Sequence, residues 1–389
     1  MSQKKKILFL VPLPPPVHGA ALNNRSLVDS QLINEAFHLC VIPFNFAVET
    51  NDIGRFSLYK VLKSIRRAMT IIHKMIVFRP DVVYFNLSLY GFALYRDLCY
   101  VFIFKLFNAN ILYHLRTQSV KSQVRNSGFK KHIFEYIFKN THVICLSEYL
   151  CGDIVDVYQS KPLIVNDGVG ELDSYTYGMN KSMAEINNIS VDENNNTTHT
   201  PQILFLSNFI KTKGVHELIN ALYILKTKQI KFSAILAGGA IDVSVESLQK
   251  MVNDFDLSGE VKILGPTYAR DKYELFLAAD IFVLPTYFEA FPGVILEAMQ
   301  FTLPVISTIE GGIPEIVDDG VTGFLVQKQN VQQLADKIEM LIKDAGLRAS
   351  MGMKGREKFM ERYTISILEK NMKNAFDKVL AKAQRKYSN

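Results

Sequence analysis

The sequence predicts an α/β protein built from two doubly wound parallel-sheet domains. Three observations carry this: a length of 389 residues, short apolar runs separated by helix-like periodic segments, and the return of that rhythm beyond an Asn-rich interruption. Such a length exceeds one ordinary core and suits two domains of under about 200 residues each. With 48% hydrophobic and 21% charged residues, the composition lies far from that of disorder, so the chain can bury both cores.

Taken in order, the strand candidates are residues 7–11, 82–85, 111–114 and 143–146, then 203–206, 233–237, 261–264, 281–284 and 304–307. Runs this short and continuous suit strands buried on both faces, and the helical periods between them make βαβ units. Residues 170–200 hold Asn187, Asn188, Asn194, Asn195 and Asn196 with little apolar periodicity, which predicts a flexible interdomain segment. The domains are therefore placed at 1–169 and 201–364. Asn188-Ile-Ser and Asn196-Thr-Thr are formal glycosylation sequons, read as chance matches in an Asn-rich loop. Leu368, Met372, Phe376 and Leu380 recur every fourth residue, an apolar helical stripe that must pack on something.

Charge is divided unevenly. Residues 1–165 carry 20 basic and 10 acidic side chains and the remainder 24 and 28, so a net +6 resolves into a basic first part and a mildly acidic second. The total is too small to suggest nucleic acid; the asymmetry points to an anionic partner on one lobe. Within the first part, residues 53–80 and 98–134 contain no Asp or Glu. In the former, Leu58, Leu62, Ile65, Met69, Ile72 and Ile76 follow one helix face, among Arg55, Lys60, Lys63, Arg66, Arg67, Lys74 and Arg79. In the latter, Lys105, Arg116, Lys121, Arg125, Lys130 and Lys131 interleave with Phe102, Phe104, Phe107 and Phe129. Either an ordinary solvated face or contact with anionic lipid or phosphate accounts for such stretches.

Cys40, Cys99, Cys145 and Cys151 show no CxxC or paired framework, so neither zinc nor a disulfide scaffold is indicated and a reducing compartment fits. The segment Ile7 to Val11 is cut short by Pro12, Pro14, Pro15 and Pro16, which favours a buried strand over a signal peptide. The most apolar zone is interrupted by Arg96, Asp97 and Lys105, too early for a spanning helix. A cytoplasmic protein, at most peripheral on the inner membrane face, is expected.

P-loop, GxGxxG, GxSxG and HExxH signatures are absent, and no His cluster marks a metal site, so no metal is expected. Glycines instead follow strands at His18-Gly19, Gly238-Gly239 and Gly311-Gly312, where α/β sheets bind ligands, and their occurrence in both lobes suggests an interlobe cleft. The paired carboxylates are Glu289 and Glu297. In one continuous helix they would stand about 12 Å apart, but Pro292-Gly293 favours a loop followed by a helix N-terminus between them. Free N–H groups flanked by carboxylates suit an anionic centre with hydroxyls at both ends, as in a nucleotide sugar.

The E-x7-E pair resembles that of the family 4 retaining glycosyltransferases of the GT-B fold, within glycosyl transferases group 1. The segment Val305-Ile-Ser-Thr-Ile-Glu-Gly-Gly-Ile-Pro-Glu and the element Ser207-Asn-Phe-Ile-Lys-Thr-Lys-Gly-Val215 are similar to their counterparts there. Ile164-Val-Asn-Asp-Gly168 resembles the end of the family's N-terminal domain. The resemblance implies two Rossmann-like domains facing a central cleft, with the donor on the second and a C-terminal helix at about 365–389 returning to the first. It implies that Lys213 contacts the donor diphosphate, Glu297 the ribose and Glu289 the transferred sugar. Asn208, Gly265, Phe291, Gly293 and Val294 would complete the donor set, with Gly19 on the phosphate-facing first loop. The strand-end His of the family matches His114, or Arg116 stands in its place.

The implied reaction moves a sugar from a UDP- or GDP-sugar, as co-substrate and without a cofactor, to a hydroxyl of a saccharide or polyprenyl-linked acceptor. Arg25, Lys63, Arg66, Arg67, Arg116, Lys121 and Arg125 are the candidate contacts to that acceptor or an anionic membrane. Three departures stand out: Asn208 replaces the family's Arg, Ala290 its glycine, and Pro292 removes a backbone donor. Asn208 and Pro292 leave open a nucleotide-sugar-binding or scaffold protein of weak activity; a nucleotide-sugar epimerase or phosphorylase on the same fold is a separate alternative.

Overall fold

The computed structural model describes residues 4–44, 58–171 and 199–387. Most of the expected interdomain segment, both sequons and Arg55 lie outside these residues. The strands are β1 (Lys5–Val11), β2 (Phe37–Pro43), β3 (Val82–Phe85), β4 (Ile111–Leu115), β5 (His142–Cys145) and β6 (Leu163–Ile164), then β7 (Gln202–Leu206), β8 (Ser233–Ala237), β9 (Val261–Leu264), β10 (Ile281–Leu284), β11 (Val305–Thr308) and β12 (Gly323–Val326). They form two six-stranded sheets, and every described strand pairing is parallel. One unit comprises Met1–Gly168 with Ile365–Asn389, the other Val169–Thr364.

The first sheet runs β2-β1-β3-β4-β5-β6 and the second β12-β11-β10-β7-β8-β9. Strand order reverses between β1 and β3 in one and between β7 and β10 in the other. Connections leave opposite faces at such a point and open a crevice at the carboxyl ends of the strands.

In the first unit, β1 and β3 are covered on both sides. Ile71, Met75, Tyr100, Phe104, Phe134 and Phe138, from the helices Leu58–Val77, Gly91–Leu106 and Gly128–Phe138, fill one side. Leu27 and Ile33 fill the other with Leu368, Met372 and Phe376 of the helix Ile365–Tyr387. The Phe376 ring meets Phe9, Phe37 and Tyr84 at centroid distances of 5.7, 5.6 and 5.6 Å. The stripe that the four-residue period predicted is thus a seam of this core.

Three strands escaped sequence reading, namely β2, β6 and β12. Each lies at a sheet edge. An edge strand has a neighbour on one side only and can be less buried than a central one, as the partly exposed Leu39, Cys40 and Val41 of β2 illustrate. No helix among the described residues is long and apolar enough to cross a membrane.

Candidate functional site

The second unit gathers most of the expected donor residues at the carboxyl edge of its sheet. Asn208 and Lys213 follow β7, Gly265 follows β9, Glu289 follows β10, and Gly311-Gly312 follow β11. The order reversal sets β7 beside β10, so residues distant in sequence become neighbours.

How closely the two loops approach is set by Gly214. Its φ is +78°, and a Cβ there would stand 2.1 Å from the Pro285 carbonyl oxygen; glycine alone fits both demands. The short turn Lys211–Lys213 is thereby laid on the β10 loop. The Thr212 carbonyl accepts the Tyr287 N–H at 2.9 Å and the Thr286 hydroxyl at 3.0 Å. The Lys213 Nζ then reaches Glu289 Oε2 in a direct ion pair, while Glu289 Oε1 accepts the Ala290 N–H at 3.1 Å. Gly311 makes the same kind of approach from the other side: its φ is +52°, and a Cβ would stand 2.1 Å from the Glu289 carbonyl oxygen.

The helix Gly293–Gln300 starts at Pro292, whose backbone is extended and offers no side-chain cap. No side chain caps its first turn, where the N–H groups of Gly293 and Val294 precede the intrahelical ladder. Ile295, Leu296, Ala298 and Met299 are buried, whereas Gly293, Val294 and Glu297 are only partly buried. The spacing puts these three on the helix's open face. Glu297 Oε1 takes the Lys272 ammonium at 2.6 Å. Phe291 is buried, with its ring 5.9 Å from that of Tyr363, so it supports the loop from beneath. Asn208 is exposed.

Each carboxylate of the E-x7-E pair thus holds a lysine: Lys213 on Glu289 and Lys272 on Glu297. Lys272 was not legible from motif spacing, because it comes from the separate helix Ala269–Ala278. The arrangement offers two cations, two carboxylates and a helix N-terminus in one unit, which fits an anionic ligand bearing hydroxyls.

The first-unit candidates fare differently. His114 lies inside β4 and is fully buried, its Nδ1 2.7 Å from the Tyr84 hydroxyl. Burial, and then the Arg116 charge, hold its pKa well below the ordinary value. It has no surface to offer a substrate, so the structure corrects its expected catalytic place to an internal one. Arg116, just past the strand, pairs with Asp167 and donates to Asn24 Oδ1 at 3.2 Å. Its charge is matched internally, so it also leaves the expected acceptor or membrane set. Of the rest, Arg25 lies 3.6 Å from Asp29; Arg66 and Arg125 are exposed, and Lys63, Arg67 and Lys121 are half-buried. Gly19 opens the helix Gly19–Asp29, capped by the His18 side chain, which accepts the Ala21 N–H at 3.3 Å.

Residues 187–358 match the family described as glycosyl transferases group 1. The chain is 28% identical over 185 residues to the Staphylococcus aureus capsular polysaccharide biosynthesis glycosyltransferase CapM, covering 47% of each. It is 28% identical over 207 residues to a D-inositol 3-phosphate glycosyltransferase of Corynebacterium aurimucosum, 51% of this chain and 48% of that one. The chain spans about half the length of these curated relatives. Among solved structures it superposes on Anabaena Alr3699/HepE in complex with UDP and glucose with a TM-score of 0.68 and 20% identity, over 96% of this chain and 100% of that one. That likeness, together with the two parallel sheets, shows the GT-B fold.

Proposed function

We propose that the chain is a retaining glycosyltransferase, moving a sugar from a UDP- or GDP-sugar to a hydroxyl of a saccharide acceptor. The observation that carries this reading is the Lys213–Glu289 pair at the point where strand order reverses, beside the uncapped Gly293–Gln300 helix. The match of residues 187–358 to glycosyl transferases group 1 supports it.

In the proposed complex the donor displaces both internal ion pairs. Sugar hydroxyls bind Glu289, ribose hydroxyls bind Glu297, and the diphosphate receives Lys213 and the N–H groups of Gly293 and Val294. As the bond from anomeric carbon to phosphate oxygen breaks, negative charge grows on the diphosphate, where Lys213 stabilises it. The acceptor oxygen attacks on the same face and its proton passes to the departing phosphate oxygen. No carboxylate nucleophile, metal or cofactor is required by this scheme.

The acceptor is proposed to be a lipid-linked saccharide of surface polysaccharide synthesis, met by a peripheral enzyme at the inner membrane face. The basic first unit supports this, as does the similarity to a capsular polysaccharide glycosyltransferase. The test is nucleotide release from UDP-, GDP- and ADP-sugars, with donor affinity by calorimetry for the wild type and Glu297→Ala. A loss of about 100-fold in affinity is expected for removing a charged hydroxyl acceptor; unchanged affinity refutes the ribose assignment. Binding without release on any donor favours the scaffold reading that Asn208 and Pro292 motivate.

A further inference from the structure

The helix Leu58–Val77 lies against the sheet through Ile71 and Met75, yet its longer apolar stripe points the other way. Leu62, Ile65, Met69, Ile72 and Ile76, spaced by three and four, are 61, 53, 57, 38 and 54% exposed. The adjoining helix Gly91–Leu106 repeats the pattern, with Phe92, Tyr95, Phe102 and Leu106 exposed on one face. The Tyr100 hydroxyl donates to the Ser64 carbonyl at 3.1 Å, tying the two helices together. Both pack their inner residues on the same side of the sheet, so both outer stripes face away from it. Contiguous exposed apolar surface of this kind marks a docking face.

Charge selects the occupant. The helix Leu58–Val77 has no acidic residue, and Lys63, Arg66, Arg67 and Lys74 are distributed along it. On its neighbour the sole carboxylate, Asp97, is buried and held by Arg96 at 2.7 Å. A second copy would set this cationic face against itself, whereas an anionic bilayer complements both components: apolar side chains enter the acyl boundary and basic ones remain among headgroups. We infer that these two helices form a membrane-docking plate that inserts Ile65, Met69 and Phe102 into an anionic leaflet. This rests on the membrane-side acceptor proposed above and moves the contact from basic residues alone to an apolar plate with a basic margin.

The test is flotation of the full chain with vesicles of phosphatidylglycerol and phosphatidylcholine against phosphatidylcholine alone, comparing wild type with Ile65→Asn/Met69→Asn. The wild type is expected to float with anionic vesicles. The double variant should lose about tenfold in partitioning per substituted side chain, with unchanged circular dichroism and unchanged nucleotide release on a water-soluble acceptor. Equal binding by the variant overturns the inference, as does failure of the wild type to bind at low salt. So does a sedimentation result in which the wild type is a dimer that the variant dissolves. Nucleotide release on the soluble acceptor is scored separately: flotation without release defeats the transferase reading and leaves the plate standing, and release without flotation does the reverse.

Discussion

Gly214→Ala should damage the site without touching a charged group. Adopting φ +78° costs a residue bearing a Cβ about 1–2 kcal/mol. The new methyl would stand 2.1 Å from the Pro285 oxygen and 2.7 Å from its carbonyl carbon, both backbone atoms, so a loop must move. The cheaper movement lifts the Lys211–Lys213 turn and gives up the two hydrogen bonds to the Thr212 carbonyl, at about 1 kcal/mol each. The sum is about 3–4 kcal/mol, with Lys213 drawn away from Glu289. Hydrogen exchange at the amides of the helix Val215–Thr227 should show the loss, and nucleotide release should fall about 100-fold, as expected for a displacement of about 1 Å. Gly293→Ala is the control: its φ is ordinary and a Cβ there meets nothing within 4 Å, so stability should stay within about 0.5 kcal/mol. If Gly214→Ala exchanges and turns over like the wild type, the close approach of the two loops is not what positions Lys213.

Two further outcomes are expected. Because burial and Arg116 keep the folded His114 pKa well below its ordinary 6.5, the unfolded chain takes a proton that the folded chain refuses as pH drops through 6.5. Stability of the first unit should therefore decline in acid by up to about 1.4 kcal/mol per pH unit from this group and be unaffected by it above. His114→Gln should remove that part of the slope in denaturant titrations, and an unchanged slope would assign it elsewhere, for example to His18, which burial shifts the same way. Asn208→Arg, at an exposed position after β7, should restore a cation near the proposed diphosphate site and tighten UDP or GDP binding about tenfold; equal affinity would mean that position 208 does not face the diphosphate.

The central strands were legible because burial on both faces forces continuous apolar runs, as in residues 7–11 and 281–284. Of the four edge strands only β9 was read, at 261–264; β2 is partly exposed and β6 is two residues long, so neither carries the signal of a strand buried on both faces. In the site, Glu289, Glu297 and Lys213 stood out through spacing and resemblance, whereas Lys272 did not: its partner is reached through the fold, and a lone lysine on a polar helix carries no local signal. The ambiguity between His114 and Arg116 could not be resolved by alternation, since β4 is buried on both faces and Arg116 lies just past its end. The stripe on residues 62–76 was visible as a helical period, but period alone does not say which way a face points. Here the side turned to the core is the narrower one, with Ile71 and Met75.

The helix Ile365–Tyr387 has a consequence for biosynthesis. It supplies Leu368, Met372 and Phe376 to the core around Phe9 and Tyr84, so a ribosome must pass the whole of the second unit before the first can close. The intervening 169–364 unit can acquire its native sheet on emergence, while the earlier sheet waits with one apolar side uncovered. Loss of the helix Ile365–Tyr387 would therefore leave a finished second unit attached to an open, aggregation-prone first one.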